Sequence, residues 1–380
     1  MIRLPVEPAI TEFLHRKATA RRIPLSGTFE LTPVCNMNCR MCYVRMSAQQ
    51  QQSIRPLKTA EQWLEIAAQA KKEGLLYLLL TGGEPFLYPG FRKLLAGLQE
   101  MGFIISINSN GTMIDEETVS WLKKTPPMRI NITLYGASDA TYEKLCANPK
   151  GFTQTTNAIR LLREAGITVK LNCSITPYNA ADFPEIIAYA QRENLVVQAS
   201  SYMFPPLRKD PRMVGSNDRF TPEEAAYYSA MTEYLLNGKE AFLNRPEEEL
   251  PALPSDANED CEAVGDFIRC RAGKCSFWIT WEGNMMACGM FPVVEENNVF
   301  DLDFQSCWNH VVETTNEIRL PAQCTSCTCR EHCKACAAMV ITESGSFDKV
   351  PQYRCQMSKA YPNERRKLKE QLLDGADFLR

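Results

Sequence analysis

Histidine is nearly absent from this chain of 380 residues: only His15, His310 and His332 occur, far apart in sequence. A structural zinc knuckle wants four Cys or His ligands in closed tetrahedral geometry, and histidine cannot supply them locally here. A basic excess is missing too. The net charge is −3, so no nucleic-acid surface is expected. Long apolar runs are also missing. The longest, such as residues 75–80, are far too short to span a bilayer, so no membrane partner is expected. The first residues mix charge with proline (Arg3, Pro5, Glu7, Pro8) and lack the apolar core of a signal peptide. A cytoplasmic location is therefore expected. There is no internal repeat, and no low-complexity tract beyond Gln49 to Gln52, which reads as a solvated loop. At 45% hydrophobic and 23% charged, the composition is ordinary for a globular protein. The length allows two domains or one large one.

What the chain has in excess is cysteine, sixteen in all. Disulfide scaffolds are typically short secreted chains that cannot build a core, which this chain can. Eleven of the sixteen lie between Cys261 and Cys355. Such clustering favours metal over disulfides, with assembly under reducing conditions. The most informative group lies elsewhere. Cys35, Cys39 and Cys42 form C-x3-C-x2-C behind a short strand-like run at 28–31. Fe–S cubanes are normally held by four thiolates. A three-cysteine loop suits a cubane with one iron left open. About forty residues on, an apolar run ends in Gly82-Gly83-Glu84-Pro85, a turn that presents a carboxylate.

From residue 28 to about 201, short apolar strands alternate with helical stretches. Strands are expected at 28–31, 76–80, 103–107, 129–134, 168–175 and 196–201. Helices are expected at 59–73, 91–101, 115–123, 152–165 and 182–193, the third capped by Asp115. Gly74, Gly102 and Gly166 follow helices where a left-handed residue is wanted. Strand–helix repetition implies parallel strands with right-handed crossovers. Residues 206–260 break the pattern. Thr221-Pro222-Glu223-Glu224 is a helix-capping sequence, and Pro251 to Asn258 reads as a linker.

The cysteine loop and the Gly-Gly-Glu-Pro turn, in this order and each at a strand end, resemble the radical S-adenosylmethionine (SAM) superfamily. The resemblance implies an α/β fold with a partial (β/α)6, TIM-like barrel. It also implies a [4Fe–4S] cluster on Cys35, Cys39 and Cys42, whose open iron chelates the amino and carboxylate groups of SAM. Reductive cleavage of SAM would then yield a 5′-deoxyadenosyl radical that abstracts hydrogen from substrate. Gly82, Gly83, Glu84 and Pro85 are expected at the methionine amino group, with Glu84 accepting from it. Asn108, Ser109 and Asn110 end strand three and can bond ribose or carboxylate oxygens, although a strand-to-helix turn favours the same residues. Tyr43 is expected beside the adenine. Tyr135 and Asn172 are expected to line the cleft.

The C-terminal cysteines resemble the SPASM extension, a small domain that holds two auxiliary [4Fe–4S] clusters. Carried over position by position, Cys270, Cys288 and Cys336 match ligands of the first, with Cys275 near its fourth position. Cys324, Cys327, Cys333 and Cys355 match the second. The spacing between Cys333 and Cys336 is x2 where x3 is usual. The first auxiliary cluster is expected with either four protein ligands or an open iron, and Cys329 as a competitor in the run. Cys146, Cys173, Cys261, Cys307 and Cys329 read as small buried residues, or alternatively as thiol hydrogen-atom donors. The expected organisation is an N-terminal extension (1–27), a radical SAM core (28–205), a helical linker (206–260) and a SPASM domain (261–380).

The resemblance implies a radical SAM oxidoreductase that modifies a peptide or protein, for example by thioether or carbon–carbon crosslinking, with flavodoxin or ferredoxin as electron donor. Only about 27 residues precede strand one, too few for the winged-helix docking domain of many relatives. Sulfatase-maturing relatives carry aspartate where this chain has Gly289, which ranks that activity lower. Dehydrogenation of a small molecule and a non-catalytic Fe–S carrier are the other readings.

Overall fold

The computed structural model describes residues 9–245, 268, 270–325, 327, 329, 333, 335–376 and 378. Its strands are β1 (Ser26–Glu30), β2 (Tyr77–Thr81), β3 (Ile104–Ser109), β4 (Arg129–Thr133), β5 (Val169–Ser174), β6 (Val196–Ser200), β7 (Ser276–Ile279) and β8 (Met285–Met286). The helices among the first six strands are α1 (Ala9–Arg21), α2 (Ala48–Ile54), α3 (Ala60–Lys72), α4 (Phe91–Glu100), α5 (Glu116–Leu122), α6 (Asp139–Cys146), α7 (Gly151–Glu164) and α8 (Phe183–Arg192). Then come α9 (Pro222–Asn237), α10 (Lys239–Asn244), α11 (Phe304–Glu317), α12 (Ala322–Thr325), α13 (Ala337–Ser344) and α14 (Gln352–Leu373).

One sheet runs in the order β6-β5-β4-β3-β2-β1-β7-β8. β1 to β6 are all parallel. Parallel neighbours need crossover connections, and crossovers of one hand in unbroken order put their helices on one face. That face is apolar: Phe29, Leu80, Ile107 and Ile130 lie in register across four strands and are fully buried. α3 covers it with Trp63, Ile66, Ala67 and Ala70, a helical stripe. Trp63 lies 4.8 Å from Phe29, ring to ring. Because strand side chains alternate, the opposite face carries Glu30, Ser106, Asn108, Asn131, Thr133 and Asn172. Several of these polar residues are buried too. The interior of the curled sheet is therefore polar, and a polar interior is room for a ligand.

The expected strands and helices recur with ends shifted by one or two residues. Gly74, Gly102 and Gly166 have φ of +106°, +83° and +75°. Three elements differ from expectation. Gln49 to Gln52 lie in α2 rather than in a loop, because Ser47 and Gln50 form a capping box and Gln51 is buried. α1 and α6 were not anticipated; their apolar positions are too few to give a clear period. The sheet also continues past residue 205, since β7 pairs with the free edge of β1. In the stretch read as a linker, α9 is capped by Thr221 and Glu224 as expected. Its buried Glu233 meets Arg365 of α14 at 3.2 Å. Pro251 to Asn258 and Cys261 lie outside the described residues.

Candidate functional site

The Gly-Gly-Glu-Pro turn is built against the approach to the cysteine loop. Gly83 N donates to Thr32 O at 2.6 Å, and Glu84 N to Val34 O at 2.9 Å. A Cβ on Gly82 would sit 2.4 Å from Thr32 O, and one on Gly83 2.5 Å from Val34 O. Any side chain would push the two loops apart, so both positions need glycine. Pro85 opens a short 3-10 turn that Glu84 caps.

Glu84 is completely buried. Its carboxylate accepts from the Ser109 hydroxyl at 2.9 Å, the Asn110 amide at 2.8 Å and the Phe86 amide at 3.2 Å. Burial outweighs these bonds and raises its pKa to about 7. Ser109 and Asn110, expected to face the cofactor, therefore serve Glu84 and the cysteine loop. The Asn110 side chain donates to Asn36 Oδ1 at 3.0 Å and to Cys35 Sγ at 3.7 Å. Asn108 accepts from Asn131 at 2.8 Å. Asn131 Oδ1 is buried and has no partner among the described residues. This acceptor in the polar interior escaped sequence reasoning, because an Asn inside a strand announces nothing. Asn172 lies on the same face, paired in register with Thr133.

Cys35, Cys39 and Cys42 come together beyond the end of β1, close enough to raise one another's pKa. Burial pushes Cys35 to about 12. Met37 N donates to Cys35 Sγ at 3.4 Å, and Arg45 N to Cys42 Sγ at 3.3 Å. Buried thiols of raised pKa stay protonated unless a cation displaces the proton. Amides aimed at sulfur suit ligating thiolates. The donor set thus fits a thiolate-bound cluster. Tyr135 lies close by, and burial together with the neighbouring thiols raises its pKa.

The C-terminal cysteines fall into two groups. Cys270, Cys288 and Cys336 are near enough to repel one another as thiolates. Burial pushes Cys288 to about 12. Cys336 caps α13 and accepts from Met339 N at 3.5 Å, the electropositive end of a helix. Cys324, Cys327, Cys333 and Cys355 line one cavity of about 280 Å³. Cys329 lines it as well, so five thiols face a space where a cubane takes four. The x2 spacing still separates Cys333 and Cys336 into different groups. Cys275 does not join its expected partners. It precedes β7 with the parity of Phe277 and Ile279, which face the helices. It is fully buried beside Ala18 and Leu25, with Thr19 donating to its sulfur at 3.2 Å. Strand alternation sends it to the side opposite Trp278.

One side chain connects the two regions. Arg208, in the loop after β6, pairs with Glu30 at 2.6 Å and 2.9 Å and donates to Gly289 O at 3.1 Å. Trp278 Nε1 donates to Glu30 at 3.1 Å. The guanidinium lies 5.7 Å from the centre of the Tyr43 ring. Gly289 follows Cys288, and Tyr43 follows Cys42. Tyr43, expected beside adenine, is partly buried, and burial together with Glu30 raises its pKa. Glu30 and Arg208 gave no sequence signal, because they are 178 residues apart.

Residues 29–190 match the Radical SAM superfamily. The chain is 28% identical over 165 residues to the sporulation killing factor maturation protein SkfB of Bacillus subtilis; the match covers 43% of this chain and 39% of that one. It is 21% identical over 335 residues to the AdoMet-dependent heme synthase of Methanosarcina barkeri, covering 84% and 93% of the two chains. The crystal structure of Streptococcus suis SuiB bound to its precursor peptide SuiA superposes with a TM-score of 0.66 at 18% identity, over 93% of this chain and 82% of that one. The fold is the TIM-like α/β core of radical SAM proteins. Residues 29–190 are thus a radical SAM domain, and radical SAM proteins use a [4Fe–4S] cluster and SAM. No helix among the described residues is long and apolar enough to cross a membrane.

Proposed function

We propose that the protein is a radical SAM oxidoreductase of SPASM type that oxidatively modifies a peptide, by crosslinking residues of a ribosomally made precursor. The reading rests on one observation: two further groups of thiols adjoin the sheet that carries the Cys35, Cys39 and Cys42 loop. In this reading the first loop holds the SAM-binding cluster, and the C-terminal groups hold two auxiliary clusters. When bound, the first cluster and SAM supply a 5′-deoxyadenosyl radical for hydrogen abstraction. Gly82 and Gly83 let the turn close on the loop, Glu84 fixes the end of β3, and Arg208 holds Gly289 against Glu30. The polar interior face receives SAM and the substrate residue. SkfB and SuiB support a peptide substrate, and a ferredoxin or flavodoxin fits as donor.

The test is anaerobic incubation of the reconstituted protein with SAM, dithionite and short peptides encoded beside its gene. Loss of two hydrogen atoms from one peptide, matched by 5′-deoxyadenosine, supports the reading. The full-length likeness to a heme synthase favours a second one, a small-molecule substrate. Turnover of a tetrapyrrole with no peptide modified would establish that instead.

A further inference from the structure

The cavity lined by Cys324, Cys327, Cys329, Cys333 and Cys355 has a single hydroxyl among the described residues of its wall, that of Ser358. Cys355 and Ser358 stand three residues apart on α14, so they share one face of the helix. Ser358 Oγ is buried and has no hydrogen-bond partner among the described residues. Helical hydroxyls can bond back to the carbonyl one turn earlier. Thr342 does so to Ala338 O and Ser344 to Val340 O in α13, each at 2.7 Å. Ser358 does not, and a buried hydroxyl left unpaired is costly. The same turn carries a second unmet need. Arg354, immediately before Cys355, is buried with its Nε unpartnered. Its one side-chain hydrogen bond among the described residues goes to Met357 Sδ at 3.2 Å. The buried Arg208, Arg219 and Arg365 each face a glutamate instead, at 2.6, 2.6 and 3.2 Å. A donor without an acceptor and a cation without an acid both call for an anion.

We propose that the Ser358 hydroxyl donates a hydrogen bond to a sulfur of the cluster held in this cavity, and so raises the reduction potential of that cluster. The proposal rests on the reading of the C-terminal thiols as cluster ligands. A thiolate-held cluster carries negative charge, and its sulfurs accept hydrogen bonds. It therefore suits both the hydroxyl and the cation of this turn. Hydrogen bonds to the sulfurs are among the factors that set cluster potentials. A donor withdraws electron density from sulfur and so favours the reduced, more negatively charged state. Ser358 is not needed as a ligand, since five thiols already face the space. Its chemistry leaves it one use there, which is to donate.

The experiment is an EPR-monitored redox titration of the anaerobically reconstituted full-length protein. The signal followed is one that SAM does not shift and that vanishes when Cys324 and Cys327 are both replaced with Ala. Ser358→Ala removes the donor; Ser358→Thr keeps it. The alanine variant is expected to hold as much iron as wild type and to titrate at a more negative potential. At a fixed potential its ratio of reduced to oxidised cluster falls several-fold. The threonine variant titrates with wild type, and the signal that SAM does shift stays in place in both. An unchanged potential in Ser358→Ala overturns the proposal. So does an equal drop in Ser358→Thr, which would make packing the cause. If Ser358→Ala loses the cluster, Ser358→Thr decides: wild-type iron and potential support the role of the hydroxyl, and anything less overturns it. If the Cys324 and Cys327 variant keeps every auxiliary signal, the ligand reading itself fails, and the proposal with it.

Discussion

The Ser109 hydroxyl donates to Glu84 at 2.9 Å, so the end of β3 is held by the turn that follows β2. The carboxylate of the Gly-Gly-Glu-Pro motif is thus part of the wall of the site. In the cluster-free protein its pKa is raised to about 7 from an ordinary 4.5. The folded state therefore binds the proton more tightly than the unfolded state. Its contribution is fully present below pH 4.5 and is lost as the pH rises through 7. The loss amounts to roughly 3 kcal/mol. Urea unfolding at pH 5 and pH 8 should show this slope in wild type and a flatter one in Glu84→Gln. Equal slopes would mean that Glu84 does not titrate in this window.

Glu84→Gln should also weaken SAM binding by roughly tenfold or more, as the loss of a charge-assisted bond or of the wall that orients it would do. Iron content should stay at the wild-type level. Calorimetric titration of the anaerobic protein with SAM reads the affinity and an iron assay the metal content, and an unchanged affinity would remove Glu84 from cofactor recognition.

Replacing Cys35, Cys39 and Cys42 together with Ala should abolish 5′-deoxyadenosine formation. If the C-terminal thiols hold two cubanes, wild type should carry roughly twelve irons and the triple variant about eight. Zinc in place of iron after anaerobic expression would end the cluster reading of the C-terminal region.

Cys275→Ala should leave the iron content unchanged. Cys275 packs against Ala18 and Leu25, with Thr19 on its sulfur. The expected cost is roughly 1 kcal/mol of stability, from a small cavity. Loss of about four irons would show that Cys275 is a ligand after all.

Arg208→Met should be far more damaging. It leaves the fully buried Glu30 with Trp278 as its remaining side-chain donor among the described residues. Breaking a buried pair from one side costs roughly 3–5 kcal/mol. The double variant Glu30→Gln with Arg208→Met should recover part of that in urea titrations. No recovery would show that the bond to Gly289 O, not the ion pair, is the important contact.

The sequence by itself determined the order of parallel strands, the three-cysteine loop and the glycine turn. Each is a local matter. Alternation and helical period are read within a dozen residues, and C-x3-C-x2-C brings its thiols together by spacing alone. It also suggested two sets among the C-terminal cysteines, and in the fold Cys270, Cys288 and Cys336 adjoin one another while Cys324, Cys327, Cys333 and Cys355 line one cavity. Tertiary structure decided the rest. Cys275 follows Cys270 by five residues, yet strand alternation turns it towards the helices. Cys146, which reads as filler, lies beside the cysteine loop because the loop and a helix end share two backbone hydrogen bonds. Arg208 finds Glu30 across 178 residues because the loop after β6 closes over the edge where β7 joins β1. Side-chain direction and contact between distant segments are properties of packing, and no spacing within the chain encodes them.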